Sequence, residues 1–267
     1  MTADSLIVVR GGGDIATGTI QKLRRSGFPV LVLEMDHPSA IRRFVALSEA
    51  VYEGIWTVED VTAVIVYNLT EAYTQIALGK VPVLVDPICT ILQQVKPLAL
   101  VDAILAKRNL GTNKGMAGIT VALGPGFCAG KDVDMVVETM RGHNLGRLIC
   151  SGEAMPDTGI PGMIEGKGRE RVIHAPAAGN IHIVKDIGDS VKKGQTIAMI
   201  GNVPVTASLN GIIRGMIHND YHVYNSMKIA DIDPRESEKD NCFTISDKSR
   251  CIGGSVLEAV MMGLAHG

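Results

Sequence analysis

The sequence predicts an α/β protein with a smaller all-β part behind it and a helix at its end. Three observations carry that expectation. The apolar run Leu6 to Val9 breaks into Arg10-Gly11-Gly12-Gly13-Asp14-Ile15-Ala16-Thr17-Gly18, and a second apolar run, Val30 to Leu33, ends on Glu34. Short apolar runs then alternate with helical stretches as far as residue 150, the rhythm of an open α/β sheet. From Val172 onward the runs of valine, isoleucine and alanine are punctuated by glycine instead, which predicts strands joined by tight turns.

The opening stretch has the layout of a dinucleotide-binding βαβ unit, and residues 1–150 are therefore expected to form a Rossmann-like nucleotide-binding domain. Gly11 suits the tight turn after the first strand, and Gly12 continues it. Gly13 lets backbone N–H groups approach a pyrophosphate, and Ala16 is small enough for close helix–sheet packing. Asp14 and Ile15 open a helix running to about Arg25, whose positive end would face the pyrophosphate. Glu34 follows Gly13 by about 20 residues, where a carboxylate accepts from a ribose hydroxyl. Because it would repel a 2′-phosphate, NAD is expected over NADP, with Arg42 and Arg43 as the counterweight.

Further along, Thr57-x-x-Asp60 reads as a helix start, Ala63 to Tyr67 as a strand and Glu71 to Leu78 as a helix. Val81 to Val85 reads as a buried strand closed by Asp86-Pro87, and Pro97 to Lys107 fits helix and strand equally well. Gly118 to Leu123, Val133 to Glu138 and Leu145 to Cys150 read as short strands. Residues 151–171 are a connection rich in glycine, proline and charge.

Residues 172–235 form the β module. The phrase Val172-Ile173-His174-Ala175, a turn, then Gly179-Asn180-Ile181 returns as Val205-Thr206-Ala207, Ser208-Leu209-Asn210, then Gly211-Ile212-Ile213. Between them runs Gly188-Asp189-Ser190-Val191-Lys192-Lys193-Gly194-Gln195-Thr196-Ile197. This pattern resembles the biotinyl/lipoyl-like barrel-sandwich fold. Carriers of that fold hold their cofactor on a lysine at a hairpin tip, but the corresponding tip here is Gly201-Asn202-Val203-Pro204. No covalent biotin or lipoate is therefore expected, and Lys192 and Lys193 read as a solvated basic edge. In the segment 236–267, Ser255-x-x-Glu258 reads as a capping box opening a helix from Val256 to Leu264, packing back on the first domain.

Composition narrows the function classes. The chain of 267 residues is 46% hydrophobic with a formal charge of −2, which gives no field to gather nucleic acid or an anionic membrane. No apolar run reaches the ~20 residues of a membrane span, and no signal peptide precedes the first strand, so the cytoplasm is the expected compartment. Five cysteines, Cys89, Cys128, Cys150, Cys242 and Cys251, form no C-x-x-C pair and read as reduced thiols.

Cys89 follows a buried strand and Asp86-Pro87, at the carboxyl end of the sheet where open α/β proteins bind ligands. A thiolate there can hold a soft metal or relay sulfur or selenium, or Cys89 is a small buried hydrophobe. Asp86 reads equally as a general base and as the cap of the Pro87 turn. Arg141 and His143, with Arg147, offer a loop able to clamp phosphate or a pterin-type anion, against a solvated turn. Asp132, Asp134 and Glu138 read as the polar face of a strand, and His218 and His222 as strand and turn residues rather than metal ligands.

Several motifs together carry a resemblance over nearly the whole chain. They are the Arg10 to Gly18 turn, Val85-Asp86-Pro87 with Cys89, Asp132 to Thr139, and Arg141-Gly142-His143-Asn144-Leu145-Gly146-Arg147. Pro156 to Gly162 and Ile232-Asp233-Pro234-Arg235 complete the set. In that order they resemble the YqeB-type accessory proteins of the selenium-dependent molybdenum hydroxylase system, related in role to the XdhC accessory proteins. The resemblance implies a maturation factor for a xanthine-dehydrogenase-like client, binding NAD or molybdopterin dinucleotide. An NAD-dependent oxidoreductase and a non-catalytic nucleotide-binding scaffold are the alternatives, and the oligomeric state, a homo-oligomer included, stays open.

Overall fold

The computed structural model describes residues 5–266. They form two compact units, the first built from the stretch ending at Pro38, Ala46–Thr158 and the stretch from Ile245, the second from Ser39–Val45 and Gly159–Thr244.

The first unit contains, in chain order, β1 (Ile7–Arg10), α1 (Asp14–Arg25), β2 (Val30–Glu34), α2 (Ala50–Glu53), β3 (Ile55–Val58), β4 (Val61–Val66) and α3 (Leu69–Ala77). Then follow β5 (Val81–Val85), β6 (Ala99–Asp102), β7 (Ile119–Leu123), β8 (Cys128–Ala129), β9 (Met135–Val137), β10 (Leu148–Ile149), β11 (Gly152–Glu153) and finally α4 (Asp247–His266). Nine strands make one sheet in the order β10-β9-β7-β6-β1-β2-β5-β4-β3. From β9 through β4 they run parallel, and both edge strands are antiparallel to their neighbours. Ile7, Val8, Val9, Val30, Leu31 and Val32 are all buried, as unbroken apolar runs must be when both faces of a parallel sheet are covered. The β3–β4 hairpin turns at Glu59, in the left-handed region at φ 52°. Thr57 is thus a strand residue, not the helix start expected of it.

Helices α1 and α4 meet backbone to backbone. A Cβ on Gly18 would lie 2.5 Å from the Ser249 carbonyl oxygen, and one on Gly253 would lie 2.5 Å from that of Gly18. The C-terminal helix starts at Asp247 rather than Val256. Ser255 lies in its interior, its hydroxyl donating to the Gly146 carbonyl and to that of Cys251 (3.3 Å).

The second unit holds β12 (Val172–His174), β13 (Gly179–Ile183), β14 (Ser190–Val191), β15 (Thr196–Ile200), β16 (Val203–Thr206), β17 (Gly211–Met216), β18 (His222–Val223) and β19 (Lys228–Asp233). They form two antiparallel sheets, β12-β19-β17-β14 and β16-β15-β13-β18. Ile181, Ile197, Ile212, Ile213 and Ile229 fill its core, with Ile41 and Phe44 of the early stretch packed on it.

The expected fold class is corrected on both counts. A Rossmann-like domain orders its strands 3-2-1-4-5-6 in two βαβαβ halves. Here β5-β2-β1-β6-β7-β9 follow that same order, but β4 and β3 extend the sheet beyond β5. No α-helix joins β6 to β7 or β7 to β9. The first unit is a large mixed sheet with a C-terminal helix. In place of a contiguous biotinyl/lipoyl-like module stands a pair of small antiparallel sheets in a unit that also takes in 39–45 and 159–171. Among the described residues, no helix is long and apolar enough to cross a membrane.

The α1–α4 contact yields a prediction. Gly18→Ala forces a methyl into the Ser249 backbone and should destabilise the protein by about 1–3 kcal/mol. Gly254→Ala, where a Cβ meets nothing within 4 Å, should stabilise it by about 0.5–1 kcal/mol through helix propensity. Urea unfolding of the two variants checks both signs.

Candidate functional site at the carboxyl ends of the parallel strands

The adjacent strands β6, β1, β2 and β5 deliver Asp102, Arg10, Glu34 and Asp86 to one edge of the sheet. Arg10 is the register partner of Asp102, and Asp86 N donates to the Glu34 carbonyl (3.0 Å). Arg10 is 4% and Asp102 2% exposed. The Arg10 Nη1 donates to Asp102 Oδ2 (3.3 Å) and to Thr112 Oγ1, and Nη2 donates to the carbonyls of Pro87 (3.0 Å) and Leu110 (3.5 Å). Thr112 Oγ1 donates in turn to Asp102 Oδ2 (2.6 Å), and Ile104 N to Asp102 Oδ1 (3.2 Å). One buried guanidinium thus pins the loop after β5 and the loop after β6. Those loops carry the left-handed residues Cys89, Leu105 and Lys107, at φ 61°, 59° and 61°, and such backbone persists only where surrounding bonds over-determine it.

Cys89 is buried in this cluster. Burial pushes its thiol up to about 11, with Arg10 opposing and Asp86 and Asp102 adding to the rise, so at neutral pH it is a thiol rather than a thiolate. Asp86 accepts at Oδ1 from Thr90 N (2.8 Å) and Thr90 Oγ1 (2.9 Å), and at Oδ2 from Ile91 N (2.8 Å). These bonds cap the short 3-10 turn that follows Cys89.

The glycine turn is filled mostly by the chain itself. Gly11, at φ 91°, lies against the backbone of Ala103 and Ile104, and a Cβ on Gly12 would meet Ser48 N at 2.9 Å. Gly12 N donates to Glu34 Oε2 (2.7 Å) and Met35 N to Glu34 Oε1 (2.8 Å). Burial raises the Glu34 pKa and the two N–H bonds oppose the rise. Its carboxylate is turned onto the glycine backbone. Ser48 N donates to the Gly12 carbonyl (2.9 Å) and Leu47 N to Thr17 Oγ1 (3.1 Å). The Ser48 hydroxyl is buried there with no hydrogen-bond partner among the described residues.

Gly13 differs from both neighbours. A Cβ on it would meet nothing within 4 Å. It is the N-cap of α1, with no side-chain capping bond, and Asp14, Ile15 and Ala16 form the helix's first turn. Lys248, in the first turn of α4, is half-buried. Burial lowers its pKa, Arg141 lowers it further, and Asp14, Glu138 and Asp247 oppose. The structure therefore adds a lysine to the neighbourhood of Asp14. No local pattern marks Lys248 in the sequence, since its relation to Asp14 comes from helix packing.

The expected anion clamp is arranged differently. Arg141 Nη1 and Nη2 donate to the two carboxylate oxygens of Asp247 (2.9 and 3.1 Å), and His143 is exposed in the same turn. Glu138 is buried and accepts from Met140 N (2.7 Å) and Met155 N (2.8 Å). Asp134 accepts from Thr120 and pairs with Lys114 (3.1 Å), and Asp132 accepts from Cys128 N (2.9 Å).

No family model matches the chain. It is 50% identical over 263 residues to "Uncharacterized protein YqeB" of Escherichia coli strain K12, an alignment that takes in 98% of this chain and 48% of that protein. The chain thus spans about half the length of this curated relative. Among solved structures it is similar to a succinylglutamate desuccinylase from Silicibacter sp. TM1040, at 14% identity over 87% of this chain and 85% of that one, TM-score 0.26. It is also similar to a succinylglutamate desuccinylase/aspartoacylase from Rhodobacter sphaeroides, at 11% identity, 86% and 84% coverage and TM-score 0.27. At such TM-scores the superpositions carry no argument about how this chain folds or acts.

The role implied by the sequence resemblance is corrected by these findings. The curated relative is named only as uncharacterized, with no pathway assigned, and no family model matches the chain. Maturation of a selenium-dependent molybdenum hydroxylase does not stand, and neither do the NAD-dependent oxidoreductase and nucleotide-scaffold alternatives.

Two predictions follow from the buried cluster. Arg10→Met leaves Asp102 as an uncompensated buried charge and should cost about 3–5 kcal/mol, whereas Arg10→Met with Asp102→Leu should cost markedly less. Chemical denaturation of both variants measures the difference. Iodoacetamide on the folded protein at pH 8 should label the exposed Cys150 and Cys251 and spare the buried Cys89 and Cys242, which peptide mass spectrometry reads directly.

Proposed function

We propose that this chain is a small-molecule-binding protein whose ligand seats a phosphate or pyrophosphate at the N-terminal end of α1. One observation carries the reading: the chain packs against Gly11 and Gly12 but leaves Gly13 open, at the start of a twelve-residue helix that no side chain caps. The leading N–H groups of a helix lack intrahelical acceptors and lie at the positive end of its dipole, which makes such an end a receptor for an anion. The Lys248 ammonium, which interacts with Asp14 of the helix's first turn, supports the reading by adding a cation to that neighbourhood. NAD and molybdopterin dinucleotide, the ligands to which the sequence points, both carry a pyrophosphate and are the probes to use. The cytoplasm is the compartment we propose for this activity.

The test uses Gly13, whose φ of −64° and ψ of −179° suit any residue. Gly13→Asp puts a carboxylate where the ligand's anion would lie, and the same carboxylate caps the helix. Stability should rise by about 0.5–1 kcal/mol, while affinity for the probe falls at least about tenfold, the factor equivalent to roughly 1.4 kcal/mol of repulsion. Titration calorimetry of the unaltered chain with NAD, molybdopterin dinucleotide and inorganic pyrophosphate decides the matter, and no binding by any of the three overturns the proposal.

A further inference from the structure

The second unit contains a cavity of about 210 Å³ lined by Lys167, Glu170, Lys193, Ser208, Leu209 and Asn210. Three stretches of chain build it: the turn between β14 and β15, the connection between β16 and β17, and the loop leading into β12. Hydrogen bonds hold each wall in place. Lys193 N donates to Asn210 Oδ1 (2.8 Å), Gly194 N to the Ala207 carbonyl (2.8 Å) and Ala207 N to the Gln195 carbonyl (2.8 Å). Ile164 and Lys167 exchange backbone bonds of 2.9 and 2.8 Å, and Gly168 N donates to Glu170 Oε2 (2.8 Å). A site shaped before its ligand arrives loses little to ordering.

The lining has a consistent chemistry. Two lysines and one glutamate leave an excess positive charge, and Lys193 has no ion-pair partner among the described residues. The Ser208 hydroxyl oxygen is out of contact with solvent and has no hydrogen-bond partner, a condition that costs free energy until an acceptor is supplied. Leu209 adds an apolar wall. At about 210 Å³ and half open to solvent, it has room for a small anionic group and leaves one side of the ligand exposed.

We propose that this cavity binds a small oxyanion-bearing metabolite, a short phosphate monoester or short dicarboxylate. Lys193 and Lys167 neutralise the anionic group, the Ser208 hydroxyl turns about the Cα–Cβ bond from its solvent-sealed position to donate to one of that group's oxygens, and the ligand's carbon body lies on Leu209. The basic edge that the sequence assigns to Lys192 and Lys193 then divides, with Lys193 alone lining the site.

The experiment uses the full chain carrying Gly13→Asp, so that binding at the end of α1 does not contribute and the two proposals fail separately. Glycerol 1-phosphate, malonate and uncharged glycerol are titrated by calorimetry. One saturable event is expected with at least one anion and none with glycerol, and whichever anion binds identifies the source of the oxyanion. Lys193→Gln and Ser208→Ala should each weaken it about tenfold, while Lys192→Gln, which does not line the cavity, should change it less than twofold. Ser208→Ala removes an unpaired buried hydroxyl, so its melting temperature should hold or rise and a loss of binding is not a loss of fold. No saturable binding of either anion at millimolar concentration, or equal binding by the Lys193→Gln and Ser208→Ala variants, overturns the proposal.

Discussion

The buried bond between Arg10 and Asp102 is the constraint on which the carboxyl edge of the large sheet depends. Two opposite charges on neighbouring parallel strands, both out of water, are tolerable only when every remaining donor and acceptor finds a partner. Thr112 completes the pair, and the spare guanidinium donors go to the carbonyls of Pro87 and Leu110. Because those carbonyls sit on two different loops, satisfying one charge also positions both. The left-handed Cys89, Leu105 and Lys107 lie on the loops so held, and the strain they represent is supported by this network.

The glycine turn next to it shows how one motif can serve two ends. Gly11 and Gly12 lack side chains because loop backbone presses on them from Ala103, Ile104 and Ser48, and the acidic residue at the end of β2 binds the turn's own N–H. Gly13 alone keeps open space in front of it. The glycines are thus needed chiefly for close packing of the chain on itself, and the helix start that remains uncapped is what a ligand could use.

Much of this was legible residue by residue. Val81–Val85 is a strand with the bounds its apolar run implies, and the helix expected over Glu71 to Leu78 spans Leu69–Ala77, its start set by the Asn68 side-chain cap. The reading failed where the deciding contact is distant in sequence. Thr57 and Asp60 look like a helix start, but Val58 and Val61 find a better use as facing members of a hairpin. Ser255 and Glu258 look like a capping box, yet Ser255 lies mid-helix because the preceding turns of α4 are stabilised by packing on Gly18. Lys248 was not legible at all, since its neighbours Asp14 and the pair Glu138 and Arg141 come from two other parts of the chain.

By itself, then, the sequence determined which segments are apolar on one side or on both, where glycine permits a tight turn, and that a carboxylate closes the second strand. Those properties are local, set by side-chain period and backbone freedom. The tertiary structure alone decided that β5 lies beside β2, that Glu34 turns onto Gly12, and that Arg10 is neutralised by Asp102 rather than by solvent or a ligand. Strand order and ion pairing depend on which surfaces can be buried together, a sum over contacts far apart in the chain that no window of sequence contains.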